Sequence, residues 1–228
     1  MTRRFINYSP TTEDCWRGIV LFGSNVASYK FALARALLDL RPGSGQLIRL
    51  EELAEPFARH LCSHLRLAAK QGTSKQSQFL DACRKANSGE LTQQELVDKT
   101  VRFGFNNVVS AFHVVSREEV PIRFFDDERK SGSGIRMTDA FSKLLVSGQA
   151  QNLPDEADAR WRLVETAWGL GVSRAVVTVN HDPSTEELFV IDPARRRQAI
   201  TGVRGALSGY QKGHCFYCLE MTTRFGPL

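Results

Sequence analysis

Hydrophobic positions in the first half of the chain recur at helical spacing. Val26, Tyr29, Leu33, Ala36, Leu37 and Leu40 lie three and four residues apart, which brings them onto one helical face. Ser24 or Asn25 is the expected N-cap of this helix and Arg41-Pro42-Gly43 its stop. A second apolar stripe predicts a helix over 46–71, with Pro56 able to bend or restart it and Gly72-Thr73 ending it. Shorter helices are predicted over 75–87 and 92–103. The latter opens with Thr92-Gln93-Gln94-Glu95, a capping-box spelling, and its pattern extends toward residue 112 across Gly104.

Strand patterns come later in the chain. Residues 121–125 (PIRFF) and 135–137 (IRM) flank the polar stretch DDERKSGSG and predict a hairpin with a long loop. Residues 174–179 (RAVVTV) and 187–191 (ELFVI) flank NHDPSTE and predict a second hairpin. Helical patterns over 138–146 and 155–170 lie between them. The expected fold class is α+β: a mainly helical N-terminal region, a small antiparallel sheet of two hairpins, and a basic C-terminal helix.

Composition narrows the class. A chain of 228 residues, 42% hydrophobic and 24% charged, is long enough and apolar enough for a core without metal or disulfide, which excludes disordered and collagen-like chains. Apolar runs such as AVVTV from Ala175 fall far short of the roughly 18 residues a bilayer crossing needs, so no membrane span is expected. The opening MTRRFINYSP has no apolar stretch after its arginines, and a cytoplasmic location is expected. Five cysteines, an odd number, then favour reduced thiols or metal ligands over a disulfide framework. The net charge of +5 resides wholly in 194–228, where Arg195, Arg196, Arg197, Arg204, Lys212 and Arg224 face only Glu220. The chain therefore divides into a neutral unit, 1–193, and a basic one, 194–228, the part suited to a polyanion such as DNA.

Within the basic unit, Ile200, Val203, Leu207 and Tyr210 make a helical stripe, with Arg197 and Arg204 expected together on its flank for phosphate contact. Arg195, Arg196 and Lys212 complete the candidate nucleic-acid-binding set. The same bases also fit a solvated helix face. Gly202, Gly205 and Gly209 each cost about 1 kcal/mol against alanine in a helix interior, which close packing or close approach of DNA would offset. Cys215 and Cys218 then follow with the C-x2-C spacing that lets two thiolates bind one tetrahedral zinc, which makes them half of a metal site. An unmetallated pair held by packing is the alternative. A thioredoxin-like pair would need the cysteines at the start of a helix after a strand.

A helix with scattered arginines leading through Tyr210-Gln211-Lys212-Gly213 into Cys215-Phe216-Tyr217-Cys218 resembles the entrance of prokaryotic HNH endonucleases of the restriction and phage-defence kind. Residues 25–40 (NVASYKFALARALLDL) resemble, more softly, the opening helix of the long leader in such proteins. The resemblance implies a metal-dependent DNA hydrolase in which a histidine activates water and a Mg²⁺-type ion stabilises the leaving oxygen. One setting it implies is the nuclease component of a Zorya-like defence system, with other defence proteins as partners. It also implies a structural zinc at the C-x2-C turn and catalytic His and Asn residues beyond Leu228. On that basis 1–193 is a leader for DNA binding, regulation or docking, 194–228 the entrance of an incomplete HNH unit, and the present polypeptide inactive by itself. The alternative is a non-catalytic helical module that binds nucleic acid or a partner protein.

Several other constellations carry candidate chemistry. Asp126, Asp127, Glu128 and Lys130 echo the PD-(D/E)xK nuclease signature, but the following SGSG is expected to put them at an exposed hairpin tip. His60, Cys62 and His64 could share a helical face as zinc ligands, although Leu61, Leu65 and Leu67 favour an ordinary amphipathic helix. His181-Asp182 could form a catalytic pair or merely introduce a turn at Pro183. Gly23-Ser24-Asn25 followed by Lys30 lacks the second glycine of a phosphate loop, so helix capping is the expected role. Trp161 and Trp168, seven apart, are expected to form a buried seam rather than a base-stacking platform.

Overall fold

The computed structural model describes residues 10–23, 27–74, 76–171, 180–185, 187–191 and 197–199. Within them the fold is α+β. Helix α1 (Thr12–Arg17) starts at a capping box in which the Asp14 amide donates to Thr11 Oγ1 and the Thr11 amide to the Asp14 carboxylate, each at 3.1 Å. It runs on into a wider turn at Gly18–Phe22. The remaining helices are α2 (Tyr29–Leu40), α3 (Leu50–Leu67), α4 (Gln78–Asn87), α5 (Gln93–Phe103), α6 (Val108–Ala111), α7 (Asp139–Leu145) and α8 (Leu153–Leu170). The strands are β1 (Leu47–Arg49), β2 (Val114–Val115), β3 (Glu118–Glu119), β4 (Phe125–Glu128), β5 (Gly134–Met137), β6 (Asn180–Asp182), β7 (Glu187–Ile191) and β8 (Arg197–Ala199). Among the described residues no helix is long and apolar enough to cross a membrane.

Helix α2 packs against both α3 and α8, and most of its residues are buried. It ends at Arg41, whose left-handed φ of 46° leads into Pro42. Its expected caps Ser24 and Asn25 lie outside the described residues, and the helix begins after Ser28. Helix α3 runs unbroken through Pro56, carries α4 and α5, and buries Leu53, Phe57 and Leu61. The capping box at Thr92 and Glu95 opens α5 as the sequence predicts. That helix stops at Phe103, and α6 resumes only at Val108, so the pattern toward residue 112 is not one helix.

The three-stranded sheet has the order β1-β5-β4 and is antiparallel throughout. Two corrections arise here. Residues 47–49, predicted as the start of a helix, form β1 because β5 offers a partner, with Ile48 opposite Ile135. Gly134 permits this approach, since a Cβ there would collide with the Ile48 carbonyl. The hairpin strand is Phe125–Glu128 rather than 121–125, so the acidic residues lie in the strand and not at its tip. Glu128 enters a strand despite its poor propensity because Arg136 on the neighbouring strand grips its carboxylate at 2.7 and 2.9 Å. A separate antiparallel sheet joins β6, β7 and β8 in that order. The predicted strand over 174–179 lies outside the described residues.

Aromatic rings fill the core in connected groups. Trp16 meets Phe112, Phe124 and Phe141, while Phe57 meets Tyr29, Phe79 and Phe105. A third group stacks Trp161 between Phe31 and His64. Here the core is polar as well. Gln71, 1% exposed, donates to the Glu165 carboxylate and to the Ala68 carbonyl, and its own Oε1 accepts from Ser28 Oγ and Trp161 Nε1. Glu165 Oε1 also binds His64 Nδ1 at 2.8 Å. A second buried pair joins Arg17 to Glu156 through two bonds of 2.8 Å and ties α1 to α8.

Replacing Gln71 with Leu strands Trp161 Nε1 and takes one partner each from Ser28, which keeps the backbone carbonyl of residue 71, and from Glu165, which keeps His64. A buried unsatisfied group costs about 1–3 kcal/mol, so the expected loss in urea unfolding is about 1–3 kcal/mol. An unchanged unfolding midpoint would contradict this network.

Candidate functional site

The structure separates most of the residues that the sequence offers as chemical centres. On β4, Asp126 and Glu128 project to one face and Asp127 to the other, because side chains alternate along a strand. Each carboxylate has an arginine. Arg129 binds Asp127 through Nε at 2.8 Å and Nη2 at 2.6 Å, and also reaches the Phe105 carbonyl at 2.7 Å. Arg136 grips Glu128, and Arg123 stands 3.8 Å from Asp126. Hydrogen bonds from Arg129 and Arg136 hold Asp127 and Glu128 below the usual carboxylate range. These acids are therefore ion-paired supports of the sheet edge, not a converging metal cradle.

His60, Cys62 and His64 are likewise drawn apart. His60 Nε2 meets Asp39 Oδ2 at 2.6 Å, His64 turns to Glu165, and the Cys62 thiol faces the Cys83 carbonyl. Burial lowers the His60 pKa, against the raising influence of Asp39. The amphipathic account of this helix holds, with Leu61 buried, Leu65 partly so and Leu67 exposed. Trp161 and Trp168 are both buried on α8, as a seam requires. Among the described residues no three His, Cys, Asp or Glu side chains are grouped to hold a metal ion.

Lys30 is not placed to reach a phosphate. It is 8% exposed and its Nζ donates to the Val114 carbonyl at 2.7 Å. Desolvation lowers its pKa to about 8. Nearby His113, which sequence reasoning passed over, accepts the Phe124 amide on Nε2 at 2.9 Å; burial lowers its pKa to about 3, so the ring is neutral. Gln71 and Cys83 were missed as well. A lone glutamine or cysteine in a helical pattern gives no signal until the chain folds its partner beside it.

In the second sheet, His181-Asp182 lies on β6, with the turn at Pro183 following directly. Asp182 accepts from the amide and hydroxyl of Ser184 and from Arg197 at 2.7 Å, which holds its pKa far below the usual range. Arg197 itself requires a correction. It lies on strand β8, not on a helix, because pairing with Ile191 of β7 and ion pairs to Asp182 and Glu187 fix it there. Its guanidinium also lies 4.2 Å from the centre of the Phe189 ring. Arg195, Arg196, Arg204, Lys212, Cys215 and Cys218 lie outside the described residues, as does the predicted basic helix. No protein-family model matches the chain, and comparison with curated proteins and with solved structures found no match.

The buried lysine gives a signed pH dependence. Below about pH 8 both folded and unfolded chains carry the Lys30 charge, and the fold bears the cost of burying it. Between about 8 and the ordinary value of 10.5 only the unfolded chain keeps the proton, so this group's contribution to stability rises with pH. Urea unfolding of wild type and Lys30→Met at pH 7 and pH 10 is expected to show the wild type gaining on the variant at the higher pH. A constant difference would contradict a desolvated lysine.

Proposed function

We propose that the chain is the leader region and domain entrance of a metal-dependent HNH DNA endonuclease of prokaryotic defence, hydrolysing phosphodiester bonds in the cytoplasm. The observation that carries this reading is the run from Arg195 to Cys218, where an unbalanced basic segment leads into Cys-Phe-Tyr-Cys. In it, Arg195, Arg196, Arg197, Arg204 and Lys212 contact phosphates, and Cys215 and Cys218 contribute two thiolates to a structural zinc. The catalytic histidines, asparagine and Mg²⁺-type ion belong to residues beyond Leu228. Defence-system proteins are the partners of the neutral leader.

The exposed position of Arg197 on β8 supports this reading, with 43% of its side chain accessible. Its ion pairs with Asp182 and Glu187 are of the exposed, solvent-screened kind, so a phosphate competes with them readily. A second reading, a non-catalytic module that binds nucleic acid or a partner protein, draws support from the leader itself. There Asp126, Asp127, Glu128, His60 and His64 are all committed to internal partners.

DNA binding by this chain, measured against salt, tests the phosphate contacts. If each of the five bases neutralises one phosphate, log K falls against log salt with a slope of about −4.5 on duplex DNA. Replacing all five with alanine is expected to flatten that slope. Indifference to DNA at low ionic strength, or a slope unaltered by the replacements, would refute the assignment.

A further inference from the structure

Cys62 on α3 and Cys83 on α4 meet where the two helices pack. The Cys62 thiol donates to the Cys83 carbonyl oxygen across 3.7 Å, which brings Cys62 up against Cys83. Their environments differ. Cys83 is sealed at 0% exposure, whereas Cys62 keeps 8% and lines a cleft of about 520 Å³ shared by α3, α4 and α5. Arg59, Ser63, Arg66, Asn87 and Gln93 make this cleft polar.

Arg66 is one turn beyond Cys62 on the same helix. Its Nε donates to Asn87 Oδ1 at 3.1 Å, and the Asn87 amide donates to the Cys62 carbonyl at 2.8 Å. This link fixes the end of α4 against α3. Hydrogen bonding with Cys83 holds the Cys62 thiol below its ordinary pKa against the opposing pull of burial, with Arg66 adding to the lowering. The same contact and burial push Cys83 up. Cys15, buried beside Asp14, has its pKa raised by desolvation and provides an internal contrast. Thiolate character and access from solvent are what select a cysteine for oxidation.

We propose that Cys62 and Cys83 form a hydroperoxide-sensitive pair, with Cys62 attacking the oxidant through the cleft and Cys83 resolving the product. The Cys62 thiolate sulfur bonds to one peroxide oxygen as the O–O bond breaks, and the departing hydroxide takes a proton to leave as water. Cys62 is then a sulfenic acid. The Cys83 sulfur attacks it, the S–S bond forms, the S–O bond breaks, and the hydroxyl leaves as a second water carrying the Cys83 proton. In sum, two thiols and one hydrogen peroxide give one disulfide and two waters. The disulfide locks α3 to α4 beside the cleft.

The test treats the whole native chain with hydrogen peroxide, alkylates remaining thiols in denaturant, and maps the peptides by mass. The expected product is a crosslinked peptide pair holding Cys62 and Cys83, lighter by two hydrogens, while Cys15 stays alkylatable. Cys83→Ser is expected to stop at a sulfenic acid on Cys62 that dimedone traps, and Cys62→Ser to leave Cys83 reduced. Wild-type Cys62 and Cys83 both recovered as alkylated thiols would overturn the proposal. So would a disulfide joining either of them to another cysteine, or a Cys83→Ser chain with no adduct at Cys62.

Discussion

A buried carboxylate has to be satisfied inside a core otherwise built from rings and aliphatic chains, and Glu165 sets that requirement here. Its partners come from distant parts of the chain: His64 from α3 and Gln71 from the segment that follows α3. Gln71 then uses its oxygen to bind Ser28 before α2 and Trp161 on α8. One amide side chain thus fixes the exit of α3, the entrance of α2 and a face of α8. The same region stacks His64 on Trp161 with ring centres 3.6 Å apart. An uncompensated charge at this depth would cost several kcal/mol, so the network and the packing of the three helices stand together.

Charge elsewhere in the described residues is also paired locally. Arg17 goes to Glu156, Arg129 to Asp127 and Arg136 to Glu128, while Asp39 serves Arg35, Arg59 and His60. This arrangement agrees with the neutral balance of residues 1–193, and it leaves the excess of base to 194–228. The proposed division of labour follows that asymmetry: a unit whose ions are spent on its own fold, joined to a segment whose cations outnumber its acids.

Much of the helical framework was legible because periodicity and caps are local. Thr92 and Glu95 write the start of α5, and Arg41-Pro42 the end of α2, without reference to any distant residue. Strand positions were less legible because a partner decides them. Leu47–Arg49 fits a helical stripe and becomes β1 only beside β5; Asp126–Glu128 reads as a loop and becomes strand only with Arg136 opposite. Arg197 illustrates the same limit, since β7 and two acids draw it into a sheet that its own neighbours do not announce. For the candidate sites, the sequence could display His60, Cys62 and His64 together, but not that Asp39, Cys83 and Glu165 would pull them apart. The C-x2-C turn and four of the five candidate phosphate-binding bases rest on sequence pattern alone.

The central claim is that these residues lead into a phosphodiester hydrolase, and the most direct measurement is plasmid cleavage by the product of the whole reading frame that contains them. The account predicts conversion of supercoiled DNA to nicked or linear forms in Mg²⁺, abolished by EDTA. Supercoiled plasmid left intact by folded, DNA-binding protein in Mg²⁺ would contradict it.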